Sequence, residues 1–92
     1  MTNVEMTSTF TPADGSASRI VTVRIRDLRQ DPDDLWSVAV DVTGLGSDDH
    51  VRCKGADWLN AMEGAAAFLR ALVGGYVKDD GGTMIPPLYP TL

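Results

Sequence analysis

One histidine, one cysteine and thirteen carboxylates are the groups in this chain with obvious chemical reach. His50 follows Asp48 and Asp49, and Cys53 stands three residues further on. A zinc site needs several Cys, His or carboxylate ligands at workable spacing. Alternation along a strand puts His50 and Cys53 on opposite faces, so Asp48-Asp49-His50 would need ligands from elsewhere to hold a metal. The loop also lacks the ligand pattern of a calcium-binding EF-hand. Cys53 is expected to face the core, where a thiol is an inert small hydrophobe. His50, across the sheet, cannot activate it. No serine sits in a nucleophile-elbow context. Glu63 and the aspartates supply carboxylates, but acid–base work needs a desolvated pocket, and the aspartates cluster in turns. Gly44-Leu45-Gly46 lacks the lysine and the following helix of a phosphate-cradling loop. The expectation is a non-enzymatic protein with no catalytic residue, metal or cofactor.

The charge layout carries more. Net charge is −5, which favours solubility and argues against general affinity for nucleic acid or anionic membranes. Of eight Lys and Arg, alternation places Arg24, Arg26, Arg52 and Lys54 on the outer face of a sheet. His50 joins them, and Asp41 is the single acid expected there. The other acids concentrate at Asp31 to Asp34, Asp48 to Asp49 and Asp79 to Asp80. An acidic chain would thus present a basic face. That face is either solvated surface with scattered charge or a docking surface for an acidic protein or an anionic ligand. RNA fits poorly, because a stacking platform needs exposed aromatics. Pro86-Pro87-Leu88-Tyr89 matches the short pattern bound by WW domains, and Pro87 to Pro90 fits PxxP, but matches this short arise by chance.

Two kinds of element must position these residues, and the period changes from one to the other near residue 56. Val4, Met6, Ser8 and Phe10 alternate with Glu5, Thr7, Thr9 and Thr11, an expected first strand. Pro12 to Ser16 is a turn. Val21, Val23 and Ile25 alternate with Thr22, Arg24 and Arg26, and Gln30 to Asp34 breaks that strand at Pro32. Trp36, Val38, Val40 and Val42 form the next one. After the loop Thr43 to Asp49, Val51 and Cys53 alternate with His50, Arg52 and Lys54. Pairing Val23 with Val38 and Val40 with Cys53 keeps the apolar residues on one side and sets Asp41 opposite Arg52.

From Asp57 the apolar residues recur every three or four. Asp57 is the expected N-cap. Trp58, Leu59, Met62, Ala65, Ala66, Leu69, Leu72, Val73 and Tyr76 make one stripe, flanked by Ala61, Gly64, Phe68 and Ala71. Gly64 costs about 1 kcal/mol against alanine in a helix interior. It reads either as tight packing on the sheet or as a second contact face for a dimer or another helix. Gly74-Gly75 is the expected stop. Thr83-Met84-Ile85 fits a short edge strand. Pro86 to Pro90 is either a frayed tail or an extended segment packing Leu88 and Tyr89 on the domain.

Ninety-two residues make a single domain: 1–17 a possible N-terminal strand and turn, 19–54 the sheet, 57–76 the helix and 79–92 the tail. The expected fold class is α+β, a three- to four-stranded antiparallel meander with one amphipathic helix packed on one face and an irregular Pro-rich C-terminal tail. The core is expected from Trp36, Val38, Val40, Val21, Val23, Cys53, Met62, Leu69 and Leu72. One cysteine allows no internal disulfide, which fits a reducing cytoplasm. Met1 to Ala13 has no basic, apolar leader, and Gly64 to Val77 is too short and broken to span a bilayer.

Val21-Thr22-Val23-Arg24-Ile25, Trp36 in its strand, the Thr43-Gly44-Leu45-Gly46 loop and Gly55-Ala56-Asp57-Trp58-Leu59-Asn60-Ala61-Met62 resemble a family of small uncharacterised bacterial domains. Those domains have an antiparallel meander followed by one helix. The resemblance covers Arg19 to Tyr76. Trp58 is bulkier than the small or polar residue expected there, and the Pro-rich tail lies outside the pattern. The resemblance implies a bacterial origin and a similar fold, and carries over no catalytic residue. The functional expectation is a cytoplasmic protein-interaction module, an accessory or immunity-type binder, using Arg24, Arg26, Arg52, Lys54 and His50 toward an acidic protein partner. Two alternatives stand beside it: a small-molecule or anion-binding domain with its site near the 48–50 loop, and a self-associating structural protein such as a homodimer.

Overall fold

Alternation of apolar and polar residues builds the strands where it occurs. The computed structural model describes residues 3–46 and 48–88. Strands β1 (Asn3–Thr11), β2 (Arg19–Gln30), β3 (Trp36–Thr43) and β4 (Asp49–Gly55) run as an antiparallel meander. After the helical region the chain returns, and β5 (Thr83–Ile85) pairs antiparallel with β1 at Thr9–Thr11. The sheet therefore has five strands, ordered β4-β3-β2-β1-β5, rather than three or four. The N-terminal segment pairs fully into it, from Asn3↔Arg26 to Phe10↔Arg19.

The strand faces agree with the sequence pattern, and the register does not. Val23 pairs with Val42 instead of Val38, Cys53 with Val38 instead of Val40, and Asp41 with Arg24 and His50 instead of Arg52. Between β2 and β3 the cause is turn position. β2 continues to Gln30, which moves the turn to Asp31–Leu35, where the Asp31 amide donates to the Leu35 carbonyl at 2.7 Å. β2 also carries a bulge between Arg26 and Arg29, with Asp27 at φ 57°. A bulge inserts one residue and reverses the facing of the residues after it. Asp27 so reaches the outer face, while Leu28 packs against the core.

One helical path covers the other face. Asp57 caps α1 (Trp58–Leu69), its carboxylate accepting the Asn60 amide at 2.8 Å. The path does not stop at Gly74-Gly75. It widens into a π-turn at Arg70–Gly74 and continues as α2 (Gly75–Asp80), ending at Gly81 with φ 78°. Both glycines hold right-handed helical angles. The π-turn has a physical reason. The buried row is Ala61, Ala65, Leu69, Val73 and Val77, a spacing of four. An α-helix holds about 3.6 residues per turn, so a row spaced by four drifts off the contact face. A wider i→i+5 turn corrects the drift and brings Val73 and Val77 back to the sheet.

The core lies between that row and Phe10, Val21, Val23, Val38, Val40 and Val42, all fully buried. Trp36, Cys53, Met62 and Leu72, expected at its centre, pack at its border. Trp58 and Leu59 are 54% and 52% exposed, because the small side chains of Ala61 and Ala65 set the closest face of α1. Gly64 faces the sheet, but a Cβ there would meet only the Cys53 Cβ, at an ordinary contact distance of 3.5 Å, so tight packing does not account for the glycine. Met84 and Leu88 close the open end of the core. The segment through Leu88 is thus docked, and Tyr89 lies outside the described residues. Among the described residues, no helix is long and apolar enough to cross a membrane.

Candidate functional site

The antiparallel register lines outer-face side chains into rows across four strands. One row is Glu5, Arg24, Asp41 and His50, one residue from each of β1 to β4. Beside it run Thr7, Thr22 and Thr43 on one side, and Asn3, Arg26, Ala39 and Arg52 on the other. Beyond the bulge, Arg29, Ser37 and Lys54 make a further row.

All five residues expected to form a basic surface stand on this face, and each has a carboxylate partner. Arg24 Nη2 donates to Glu5 Oε1 at 2.7 Å, and Arg26 Nε to Asp41 Oδ2 at 2.7 Å. His50 Nδ1 meets Asp41 Oδ1 at 2.8 Å. Arg52 binds Asp27 Oδ2 at 2.5 Å and Ser37 Oγ at 2.8 Å. Lys54 Nζ binds Asp33 at 3.0 Å and lies 3.7 Å from Asp31. Arg29 adds bonds to Asp27 and Asp31. Arg24, Arg26, Arg29, Arg52 and Lys54 are thus balanced by Glu5, Asp27, Asp31, Asp33 and Asp41. The face is charge-compensated, not basic, and Asp41 is not its only acid. The bulge and the Asp31–Leu35 turn deliver the acids that strand alternation assigns elsewhere.

The carboxylates respond to these partners. Asp41 is held below its usual range first by the Arg26 hydrogen bond and then by His50, against the opposing effect of burial. The Ser37 hydroxyl and Arg29 lower Asp31, and the Lys54 ammonium lowers Asp33. On the opposite face, burial pushes the Cys53 thiol up, which disfavours the reactive thiolate. His50 and Cys53 do not meet. Among the described residues, no three His, Cys, Asp or Glu side chains come together as a metal-holding group.

Among the described residues, two concavities bear on function. Thr22, Arg24, Asp41, Thr43 and His50 line one of about 130 Å³ on the outer face. It lies on the sheet, and His50, from the 48–50 segment near which one alternative expectation places a ligand site, is one of its walls. The other, of about 320 Å³, opens between α1 and the sheet and is lined by Met6, Ile25, Met62, Ala66, Leu69, Pro87 and Leu88. Pro87 and Leu88 form one wall of it, in keeping with the alternative in which an extended tail packs Leu88 on the domain.

No family model matches this chain, and neither a curated protein nor a solved structure matches it.

Proposed function

We propose that this chain is a non-enzymatic protein-interaction module, cytoplasmic and bacterial, that docks its partner on the outer face of the sheet. The observation that supports this is the uncovered row Glu5–Arg24–Asp41–His50 with its flanking ion pairs. Arg24 and Glu5 are 48% and 50% exposed, and Lys54 and Asp33 are 49% and 50% exposed. Pairs as exposed as these contribute about 0–1 kcal/mol, so they can be exchanged for pairs with a partner at little cost. Charge balance makes the attraction local, within a Debye length of about 8–10 Å, rather than long-range. The partner surface would carry carboxylates set to meet Arg24 and Lys54.

Arg26 and Arg52 are poor probes, because they hold Asp41 and Asp27 in place. The test is the double variant Arg24→Glu with Lys54→Glu, immobilised beside the wild type and offered lysate of the source cells. The partner retained by the wild type should be lost, with circular dichroism and thermal midpoint unchanged within a few degrees. Equal retention by both proteins would remove the outer face from consideration.

A further inference from the structure

The Thr22–Thr43 rung and the Arg24–Asp41–His50 rung stand side by side and enclose the concavity of about 130 Å³. That is the liquid volume of roughly four water molecules. It is below the roughly 300 Å³ at which drug-sized pockets begin. It is of the right order for one tetrahedral ion with four oxygens.

Its walls are suited to oxygen. Arg24 commits Nη2 to Glu5, and a guanidinium has five N–H donors in all. His50 commits Nδ1 to Asp41, which leaves Nε2 as the ring's second polar atom. Nε2 can donate to a bare oxyanion oxygen when protonated, or accept from a ligand hydroxyl when neutral. Thr22 and Thr43 add two hydroxyls whose protons rotate to suit an acceptor. Asp41 would repel an anion if its charge were open. Asp41 keeps its charge, but Arg26 on Oδ2 offsets it, and Oδ1 is bonded to His50 and so orients the ring.

We propose that Thr22, Arg24, Thr43 and His50 bind a single tetrahedral oxyanion, a phosphate monoester carried by the docked partner. The assignment rests on the outer face being the docking face. Arg24 and His50 flank Asp41 in one rung, the threonines stand in the next, and all four border the one concavity. Nothing in the site reads the rest of the phosphorylated residue, so flanking contacts to the ion-paired face would supply selectivity.

The test is a two-dimensional ¹H–¹⁵N NMR titration at fixed ionic strength. The probes are a short phosphoserine peptide with flanking acidic residues, its unphosphorylated form, and inorganic phosphate. The phosphopeptide should give saturable shifts centred on Thr22, Arg24, Thr43 and His50. Inorganic phosphate should shift the same four residues with at least severalfold weaker affinity, and the unphosphorylated peptide should leave them unmoved. Arg24→Gln, and separately Thr22→Val with Thr43→Val, should weaken phosphopeptide binding about tenfold or more. Valine keeps the branched shape that a strand accepts, so the fold survives that change. No saturable shift at these residues up to about 10 mM, a free energy near −3 kcal/mol, would overturn the site. Equal affinity for phosphopeptide and inorganic phosphate would overturn the partner as its source. Partner capture lost in Lys54→Glu but intact in the double valine variant would overturn the oxyanion site and leave the docking face standing.

Discussion

Asp41 joins two ion pairs on a side chain that is only 12% exposed. Replacing it with asparagine keeps the shape and removes the charge that Arg26 and His50 share. Hydrogen bonds to charged groups contribute roughly 1.5–3 kcal/mol, so Asp41→Asn should cost about 1–2 kcal/mol at neutral pH. The fold depresses the Asp41 pKa below its ordinary 3.8, chiefly through Arg26. A depressed carboxyl contributes stability above its unfolded value and loses it as pH falls through the folded one. The gap between wild type and variant should therefore be full at pH 7 and shrink as pH drops below 3.8. Urea midpoints across that range give the answer, and a gap independent of pH would mean that the charge of Asp41 contributes nothing.

Two glycines, one in a strand and one in a helix, separate close approach from loose fit. A Cβ on Gly55 would lie 2.5 Å from the Ala61 amide nitrogen, because α1 folds back directly over the end of β4. Gly55→Ala should destabilise by about 1–3 kcal/mol, the usual cost of overpacking. A Cβ on Gly64 would meet only the Cys53 Cβ, at 3.5 Å. Gly64→Ala should therefore stabilise by up to about 1 kcal/mol through helix propensity. Thermal or chemical denaturation of the two variants should move in opposite directions, and movement in the same direction would contradict this placement of α1. The same elements mark how far the sequence could be read. Alternation in Val21 to Ile25 and Trp36 to Val42 makes faces legible. It cannot choose a register, because Val23 opposite Val38 and Val23 opposite Val42 bury the same side chains. Gly74-Gly75 permits a helix stop without requiring one, and the buried Val77 beyond it outweighs that permission. The five candidate cations were legible by parity. Their partners Asp27, Asp31 and Asp33 were not, since a bulge and a turn bring them to the face.

At the scale of the molecule, the described residues extend 48 × 22 × 19 Å, long in one direction. Such a shape offers much surface for its core, and small domains hold only about 5–15 kcal/mol in total. The C-terminal residues carry a real share. Leu88 is 6% exposed and packs on the cluster that includes Met84 and Phe10. Leu88→Ala should cost about 2–3 kcal/mol and lower the denaturant midpoint with an unchanged m-value. A midpoint within error of the wild type would show the tail to be dispensable.

The pairing of β5 with β1 also orders events in time. Thr9 and Ile85 are register partners from opposite ends of the described chain. Contacts that distant form late, since long loops must close first. Until β5 arrives, Thr9–Thr11 is an open template for a strand of another molecule. A nascent chain emerging from the ribosome exposes this edge throughout translation of everything between the two strands. Three residues of late-made strand thus cover this end of the β1 edge, so until translation is complete the protection depends on residues not yet made.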